Sequence, residues 1–534
     1  MNFKVEQISL LFFLYHQNMV LWQDGKKLKL KSDVELSPKF LNVIKKEKET
    51  LLSYLKQNNG EFIPPEIFFN DLNYYLASYS QVSYYLLLNY SINTPAEKVR
   101  VNIPIYEYEK CAIHKTILFI YQNLEVLRYR YLNENGIVKF SVDKPNNLTG
   151  IVKYYYTEET FQKEVQDFVN VKGNLNTGDE LNTFFVLEQG SNSKVSIVIN
   201  GSVFEGSNLR NFITDFVFIY DKIRNEQEVI SSSLLGFDNK YKFYGFIELG
   251  YVLYHDGENR KLKDYKGKLL KSIKPFYKSE FPYPGKKFIE LHSTYFENEM
   301  SSYLISENNR NDIKPGYRSK FEVQQGAEYT FKIKKDVIDE ILSKCSSFVT
   351  TEYCVLVTVF SYVLRKRLVD FKSNVIVGNC LTNRDLFQMD TTIGFFTNIV
   401  FQEIEFNQSS FMETLEEFSS VFFSQMSLKF YPWEKLIKEI DLSPSKLDSI
   451  FLDYSVVDSK SPQIEDFKFD EGSVALFDHT CIINSYSDSV LFFITFSSKI
   501  FGENYCKNFI KDYMSFIEQI SKNVNITEAT LLDD

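Results

Sequence analysis

The chain has 534 residues, 44% of them hydrophobic, and a formal net charge of -10 at pH 7. This length predicts roughly two to four domains or lobes, and the negative charge argues against general nucleic-acid binding and against an anionic membrane surface as a partner. A membrane-spanning helix needs about 18 or more consecutive apolar residues, and no run in the sequence approaches this length, so no membrane span is expected.

The cysteines and histidines lack the spacing of metal sites. The six cysteines lie far apart and form no CxxC pair, and the five histidines do not match HExxH. We therefore expect no metal and no disulfide framework. A reducing, cytoplasmic location fits this cysteine usage best.

Residues 1–60 are predicted to form a small separate unit. A helix over about Val5–Gln17 leads into two short strands joined by a turn at Asp24-Gly25, and a second helix follows over about residues 37–57. A unit of this size has little core of its own, so dimerisation or a partner is expected.

Residues 61–70 are predicted to be a linker, because Pro64 and Pro65 are consecutive and favour an extended backbone. Beyond it, strands and helices alternate. Helices are expected at about 110–127, 158–170, 207–224, 335–345, 351–369, 409–426 and 503–521. Strands are expected at about 137–142, 182–188, 194–200, 327–333, 374–378, 397–405, 449–456, 479–485 and 489–496. This pattern predicts an α/β protein of two lobes, each with a sheet covered by helices.

A polar turn is predicted between a buried strand and a helix near the middle of the first lobe. The β-branched run Val195–Asn200 is typical of a buried strand, and Leu209–Tyr220 is typical of an amphipathic helix. The turn between them holds one acid, Glu205, between Gly201 and Gly206. An ordinary loop is the alternative interpretation.

The N-terminal segment resembles the docking domains of assembly-line synthetases of the tubulysin-synthetase (TubC-like) type, which is a small α+β unit. The matching hairpin residues are Val20, Leu21, Trp22, Gly25 and Leu28. The resemblance implies that the hairpin, with Trp22 in it, accepts the C-terminal tail of an upstream synthetase as an added strand. Four lysines would attract an acidic tail, or would merely keep an edge strand soluble. They are Lys26, Lys27, Lys29 and Lys31.

Residues 71–534 resemble the condensation domain of nonribosomal peptide synthetases. Five stretches carry the match in order: Ser78–Gln81, Asn123–Tyr131, Gly378–Arg384 with Ile393–Asn398, Tyr431–Leu436, and Leu476–Thr480. The resemblance implies a two-lobed, chloramphenicol-acetyltransferase-like α/β fold. The expected N-lobe covers about 71–235 and the expected C-lobe about 236–534.

The central family motif, H-H-x-x-x-D-G, falls on the polar turn. Its first His falls on Asn200, its second His on Gly201, its Asp on Glu205 and its Gly on Gly206. In the family the second His helps an acceptor amine attack the donor thioester. Because glycine has no side chain to position or deprotonate an amine, the motif here lacks its base.

The acid of this motif is expected to be structural. The resemblance implies that Glu205 points into the lobe and pairs with an arginine, for which Arg128 and Arg384 are the candidates. A replacement base with a raised pKa is the alternative role for Glu205. Asp478, in the late F-D-x-T stretch, is also expected to be structural.

The resemblance implies the docking plus condensation portion of a peptide synthetase, which transfers carrier-bound acyl or aminoacyl groups to an acceptor amine. The partners would be donor and acceptor carrier proteins with their phosphopantetheine arms, and the chain itself would hold no cofactor. Ser202, Thr397 and Asn398 are the groups proposed for oxyanion or amine contacts.

Two alternatives stay open. One is a catalytically silent module that recruits carrier proteins or tailoring enzymes, which Phe204 or neighbouring aromatics filling the tunnel would favour. The other is a heterocyclisation-type domain, with Asn200 and Glu205 as a distant echo of its motif and Asp453 or Asp478 as its late acid. The ending Thr527–Asp534 resembles a junction with an adenylation domain, so a fragment of a longer synthetase is expected.

Overall fold

The chain folds as two compact units in the computed structural model. Unit 1 comprises Met1–Asn259 and Thr382–Thr397, and unit 2 comprises Arg260–Leu381 and Asn398–Asp534. The structure describes residues 3–33, 36–90, 98–134, 136–145, 151–171, 173–176, 181–205, 208–229, 234, 236–255, 266, 324–368, 375–385, 389–406, 410–439, 450–457, 468–470, 474–475, 479–498 and 501–533.

The described residues of unit 1 form three sheets and the helices around them. Its helices are α1 Val5–His16, α2 Pro38–Lys46, α3 Lys48–Gln57, α4 Pro65–Phe68, α5 Tyr79–Tyr90, α6 Lys110–Asn123, α7 Glu158–Asn170, α8 Leu209–Arg224 and α9 Tyr244–Tyr254. Its strands are β1 Val20–Asp24, β2 Lys27–Lys31, β3 Tyr75–Leu76, β4 Lys98–Pro104, β5 Tyr129–Glu134, β6 Ile137–Val142, β7 Val152–Tyr155, β8 Thr183–Leu187 and β9 Lys194–Asn200.

The strand that leads to the central turn lies inside a four-stranded sheet of order β4-β9-β8-β7. β9 pairs antiparallel with both β4 and β8, and every residue from Val195 to Asn200 is buried. A strand with neighbours on both sides and cover on both faces needs a continuous β-branched run, which is what the sequence supplies. The predicted strand and the predicted helix after it, α8, are therefore both present.

The N-terminal residues differ from the prediction in three ways. The long second helix is two helices, α2 and α3, which meet at Glu47. The predicted linker contains the short helix α4. Pro65 is tolerated there because it lies in the first turn, where a backbone N–H would have no partner within the helix. The segment is also part of unit 1, since α1 packs against α9; dimerisation through it stays a prediction.

In the part of unit 2 that the structure describes, eight strands form one sheet. Its strands are β10 Gln324–Lys334, β11 Val375–Thr382, β12 Thr397–Ile404, β13 Ile450–Val456, β14 Lys468–Asp470, β15 Val474–Ala475, β16 His479–Ser485 and β17 Ser489–Ser497. Its helices are α10 Lys335–Lys344, α11 Glu352–Leu368, α12 Phe411–Gln425, α13 Trp433–Glu439, α14 Glu503–Lys522 and α15 Glu528–Asp533. The strand order is β12-β11-β13-β16-β17-β10-β14, with β15 on β10.

The unit 2 sheet is covered by helices whose apolar faces form its core. In α14 the buried residues recur every three or four positions, from Tyr505 through Phe509 and Tyr513 to Ile520, as expected for a helix with one face on a sheet. α12 begins with a capping box: the Ser410 Oγ accepts from the Glu413 N–H, and the Glu413 carboxylate accepts from the Ser410 N–H.

The predicted lobe boundary near residue 235 differs from the observed units. Residues 244–254 fall within the expected C-lobe, yet they form a helix, α9, that belongs to unit 1 and packs against α1 and β3. The segment Thr382–Thr397, between β11 and β12, also belongs to unit 1. This assignment brings the Asn383-Arg384 motif into the same unit as the central turn.

Candidate functional site

The central turn connects the end of β9 to the start of α8. Residues 201–205 are buried, although a polar turn between a strand and a helix is ordinarily exposed. Phe204 packs edge-to-face on Phe212 of α8, with ring centroids 5.7 Å apart, so its ring is part of the core of unit 1. Gly206 and Ser207 lie outside the described residues.

Glu205 is bound by four donors. Its Oε1 accepts from Arg384 Nε at 2.8 Å, and its Oε2 accepts from the backbone N–H groups of Phe396 and Thr397, each at 2.9 Å, and from Thr397 Oγ1 at 2.6 Å. A carboxylate has about four lone-pair positions, so these bonds use its accepting capacity. The side chain is 6% exposed. This arrangement fixes the carboxylate within unit 1 and occupies it with internal hydrogen bonds.

Arg384 binds the segment around it as well as Glu205. Its guanidinium donates to the backbone carbonyls of Met389, Thr392 and Gly394, and to Oδ1 of Asn208. Planar guanidinium groups can serve several acceptors at once, which lets one buried charge satisfy several buried oxygens. The Glu205–Arg384 pair is therefore the centre of a structural network.

Arg128, the other predicted partner, does not contact Glu205. Its Nε donates to the carbonyl oxygen of Tyr121 at 2.9 Å and its Nη2 to that of Gln122 at 3.0 Å, while Nη1 donates to the carbonyl of Asp143. Arg128 thus caps the chain where α6 ends. Of the two candidates, Arg384 is the arginine that pairs with the turn.

A second buried network holds the residue next to Gly201. The Ser202 N–H donates to Asn200 Oδ1 at 3.0 Å, and the Ser202 Oγ lies 3.3 Å from the Tyr131 hydroxyl. That hydroxyl also accepts from Gln81 Nε2 at 3.0 Å. Burial raises the pKa of Tyr131, so its phenol stays neutral and cannot act as a base near pH 7.

The histidines of the described chain contact other regions. His16 lies near Glu66, His114 Nδ1 contacts the Tyr154 hydroxyl, His255 packs on Phe13 and Tyr251, and His479 contacts the Tyr505 hydroxyl. None of these neighbours belongs to the central turn. Among the residues that the structure describes, no group of three or more His, Cys, Asp or Glu side chains is arranged to hold a metal ion.

Asn398 is engaged within unit 2. Its Nδ2 donates to the carbonyl oxygens of Lys429 and Tyr431 at 2.6 and 2.8 Å, and its Oδ1 accepts from the Trp433 N–H at 3.0 Å, at the start of α13. These bonds position α13. Of the late acids, Asp453 is exposed on β13, and Asp478 lies outside the described residues.

Comparisons with known proteins agree on one fold. The condensation-domain family model matches residues 282–533, slightly under half of the chain. Gramicidin S synthase 2 from Brevibacillus brevis and that from Aneurinibacillus migulanus are each 22% identical over 286 residues, which is 51% of this chain and 6% of theirs. The chain thus spans only a small part of the length of these relatives.

Solved structures extend the match to most of the chain. The condensation domain of the Monacolin K polyketide synthase MokA covers 86% of this chain and 99% of its own, at 12% identity and a TM-score of 0.58. The X-domain, solved in complex with OxyB from teicoplanin biosynthesis, covers 86% and 95%, at 12% identity and a TM-score of 0.64. The chain has the condensation-domain fold.

Within this condensation fold, the central turn lies before the residues that the family model matches. The predicted docking domain lies before them too, so its assignment stays a prediction. The hairpin itself is present: β1 pairs with β2 from Val20↔Lys31 to Asp24↔Lys27, and Gly25 has a φ of +58°, which glycine adopts readily in such a turn.

Four residues that hold the central turn of this condensation fold were not singled out from the sequence. Tyr131 and Gln81 hold Ser202 through side-chain hydrogen bonds, whereas the Tyr241 hydroxyl lies 3.1 Å from the Ser202 carbonyl oxygen. Asn208 donates to the Gly394 carbonyl at 2.7 Å. Gln81 and Tyr131 lie inside stretches that resemble family motifs. The contacts of the Gln81 amide and of the Tyr131 hydroxyl depend on tertiary packing, which the motifs do not reveal.

Proposed function

We propose that this chain is a condensation-type module of a nonribosomal peptide synthetase that binds carrier proteins without supplying a catalytic base of its own. The observation that carries the proposal is the state of the central turn. Gly201 stands where the family has its second His, and Ser202 and Glu205 are held in buried hydrogen bonds within unit 1. A carboxylate with four donors and a neutral phenol offer an acceptor amine no accessible base.

The proposed partners are donor and acceptor carrier proteins with phosphopantetheine arms. The condensation fold supports this partner class, and the similar X-domain solved with OxyB supports a protein-binding role for such a fold. A tailoring enzyme is the alternative partner. A cytoplasmic location belongs to the same proposal.

Acyl transfer is the second candidate function, and the similarity to catalytic assembly-line proteins favours it. A thioester is already activated and a free amine is already nucleophilic. Holding the two in place gives effective molarities that reach roughly 10⁵ M in well-oriented systems. A missing base therefore lowers the rate without abolishing the reaction in principle. The saturated carboxylate of Glu205 gives no support to heterocyclisation.

The test uses the whole chain with donor and acceptor carriers that are loaded with several acyl and aminoacyl groups. We expect the carriers to bind, measured by biolayer interferometry, and the condensed product to form no faster than without the protein, measured by intact mass. Product above that background would establish the acyl-transfer alternative. Absence of carrier binding would refute the proposed function. A gain of activity in Gly201→His would show that only the base is missing.

We also propose that the hairpin docks an acidic partner segment, in line with its resemblance to docking domains. Residues 1–60 contain ten lysines and six acidic residues, a net charge of +4 in a chain of net charge -10. Trp22 is 42% exposed and lies opposite Lys29 in the hairpin register, so both side chains are on the same face. An exposed aromatic side chain beside lysines suits an acidic peptide with an apolar anchor.

Docking is tested with a labelled acidic peptide in fluorescence anisotropy at two salt concentrations. We expect binding that weakens with salt and that is reduced at least about tenfold by Lys27→Glu with Lys29→Glu, because charge attraction drives encounter. Lys39→Glu with Lys45→Glu, both exposed on α2, is the matched control with the same change of net charge. Equal losses in both variants would show that only the overall charge matters and would refute docking at the hairpin.

A further inference from the structure

We propose that α9 supports both the N-terminal segment, residues 3–69, and the central turn, and that it couples the two. The segment is then a built-in part of the condensation fold, and the basic hairpin keeps a fixed position within unit 1. The use of that hairpin as a binding face rests on the docking proposal above. The support by α9 rests on contacts within unit 1 alone.

Close packing joins α1 to α9. A Cβ atom built on Gly250 would lie 2.5 Å from the Ser9 carbonyl oxygen and 3.1 Å from the Phe13 Cβ, so only glycine allows this approach. Phe13 packs edge-to-face on Tyr251, with ring centroids 5.5 Å apart. Backbone contact at a glycine gives a larger and more rigid interface than side chains alone would give.

Further contacts extend this interface along both helices. Gln17 Nε2 donates to the Tyr251 hydroxyl at 2.8 Å, and the Tyr254 hydroxyl donates to the Glu6 carbonyl oxygen at 3.2 Å. α1 is buried at seven consecutive positions from Ile8 to Leu14. α9 therefore adds apolar surface against which α1 buries its side chains.

The opposite side of α9 packs against the first strand of the condensation fold. A Cβ on Gly245 would lie 2.1 Å from the Leu76 carbonyl oxygen, so α9 contacts β3 backbone at this point as well. Glu248, which is 3% exposed, accepts from the Tyr79 N–H at 2.7 Å, at the start of α5. Two glycines thus give α9 two close contacts, one with each part of the chain.

The first turn of α9 reaches the central turn through aromatic rings. Tyr244 stacks on Tyr241, with centroids 5.7 Å apart, and packs edge-to-face on Phe396 at 4.8 Å. The Tyr241 hydroxyl lies 3.1 Å from the carbonyl oxygens of both Ser202 and Phe395. Phe396 donates its N–H to Glu205, so these rings touch both hydrogen-bond networks of the turn.

A rigid helix with fixed contacts on both sides transmits displacement, because packed interiors do not deform continuously. Releasing α1 from α9 should therefore loosen the central turn. Gly250→Leu is the releasing variant, since its side chain would meet the Ser9 backbone. Leu253→Ala is the matched control on the same helix, because Leu253 is 40% exposed. Tyr251→Phe is a milder variant that removes the bond from Gln17 and keeps the ring.

The readout is amide hydrogen exchange of the full chain, followed by mass spectrometry. We expect exchange in α1 and in residues 393–397 to rise together, by about tenfold or more in Gly250→Leu and by a smaller factor in Tyr251→Phe, with no change in Leu253→Ala. If Gly250→Leu is too unstable to purify, Tyr251→Phe alone decides. Faster exchange in α1 with unchanged exchange in 393–397 would overturn the coupling, and so would unchanged exchange in both.

Peptide binding separates this inference from the docking proposal. If the acidic peptide binds wild-type protein, exchange in residues 393–397 should slow on binding. If it does not bind, the docking proposal fails while the effect of Gly250→Leu still stands. A dimer held through α1, detected by light scattering and lost in Phe13→Ala, would contradict the inference because α9 already covers that face.

Discussion

Removing the carboxylate of Glu205 should destabilise unit 1 strongly. In Glu205→Ala, Arg384 stays charged at 6% exposure, and the N–H groups of Phe396 and Thr397 lose their acceptor. Breaking a buried ion pair by removing one partner costs about 3–5 kcal/mol. Each orphaned buried donor adds about 1 kcal/mol or more, although the effects are not additive. We expect a loss of about 4 kcal/mol, a large part of the stability of a typical domain.

The assay is native-state hydrogen exchange of β8 and β9, whose amides report the opening of the unit 1 core. Glu134→Ala is the matched control, because Glu134 pairs with Lys139 at 2.9 Å on the surface, with its side chain 61% exposed. Such exposed pairs contribute about 0–1 kcal/mol. A loss in Glu205→Ala no larger than in Glu134→Ala would refute the structural role of Glu205.

Two further variants separate charge from shape at this position. Glu205→Gln keeps the size, but its NH2 group must face either the Arg384 guanidinium or the N–H groups of Phe396 and Thr397, all of which are donors, so we expect a loss close to that of Glu205→Ala. Glu205→Ala with Arg384→Ala should lose less than the sum of the single variants by about 1–3 kcal/mol, since neither charge is then left unpaired. Additive losses would mean that the two side chains act independently.

Three other variants test the surroundings of the turn. Tyr131→Phe removes the hydroxyl that contacts Gln81 and Ser202, and it should cost about 1–3 kcal/mol in chemical denaturation. Gly394→Ala places a Cβ 2.3 Å from the Tyr241 ring and should lower the melting temperature through overpacking worth about 1–3 kcal/mol. Burial lowers the pKa of His16 to about 4, so wild-type stability should fall by roughly 3 kcal/mol between pH 6.5 and 4 relative to a His16→Phe variant.

The sign of the His16 effect follows from proton binding. The unfolded chain takes up a proton near pH 6.5 that the folded chain refuses until about pH 4, so acid favours the unfolded state in this window. Glu66, whose pKa is raised by burial, contributes in the opposite direction, and Lys240 adds repulsion to a charged His16. A His16→Phe variant with the same pH profile as wild type would contradict this reasoning. Unchanged stability in Tyr131→Phe would contradict the predicted role of its hydroxyl, and unchanged stability in Gly394→Ala would contradict the predicted overpacking.

Periodic segments were predictable because their pattern follows from burial on one face. β9 and α8 match the sequence prediction closely, and so do α7 and α14. α9 was missed because Tyr244–Tyr251 is apolar except for Glu248 and contains two glycines, so it has neither an amphipathic period nor high helix propensity. The two-residue strands β3 and β15 depend on pairing partners that no local pattern reveals.

Site residues could be predicted where the sequence aligns with a family motif. They could not be predicted where side chains that are distant in sequence come into contact. Arg384 could be named as a partner of Glu205 because both lie in quoted motifs, although they are 179 positions apart. The contact of Tyr131 with Ser202 joins positions 71 apart, and nothing in either neighbourhood signals it. The same holds for the support of the N-terminal segment by α9, which depends on glycines that look unremarkable in sequence.

Under the proposed function, the geometry of the central turn accounts for a condensation motif that keeps its fold without a base. The acid of the motif is satisfied by Arg384 and by the backbone and side chain of residues 396 and 397, none of which needs an imidazole nearby. The hydrogen bonds that hold Glu205 thus do not depend on which residue occupies position 201. On the proposed assignment, a well-formed turn with Glu205 in place is evidence for the fold and not for catalysis, and the residue type at position 201 is the feature that separates the two.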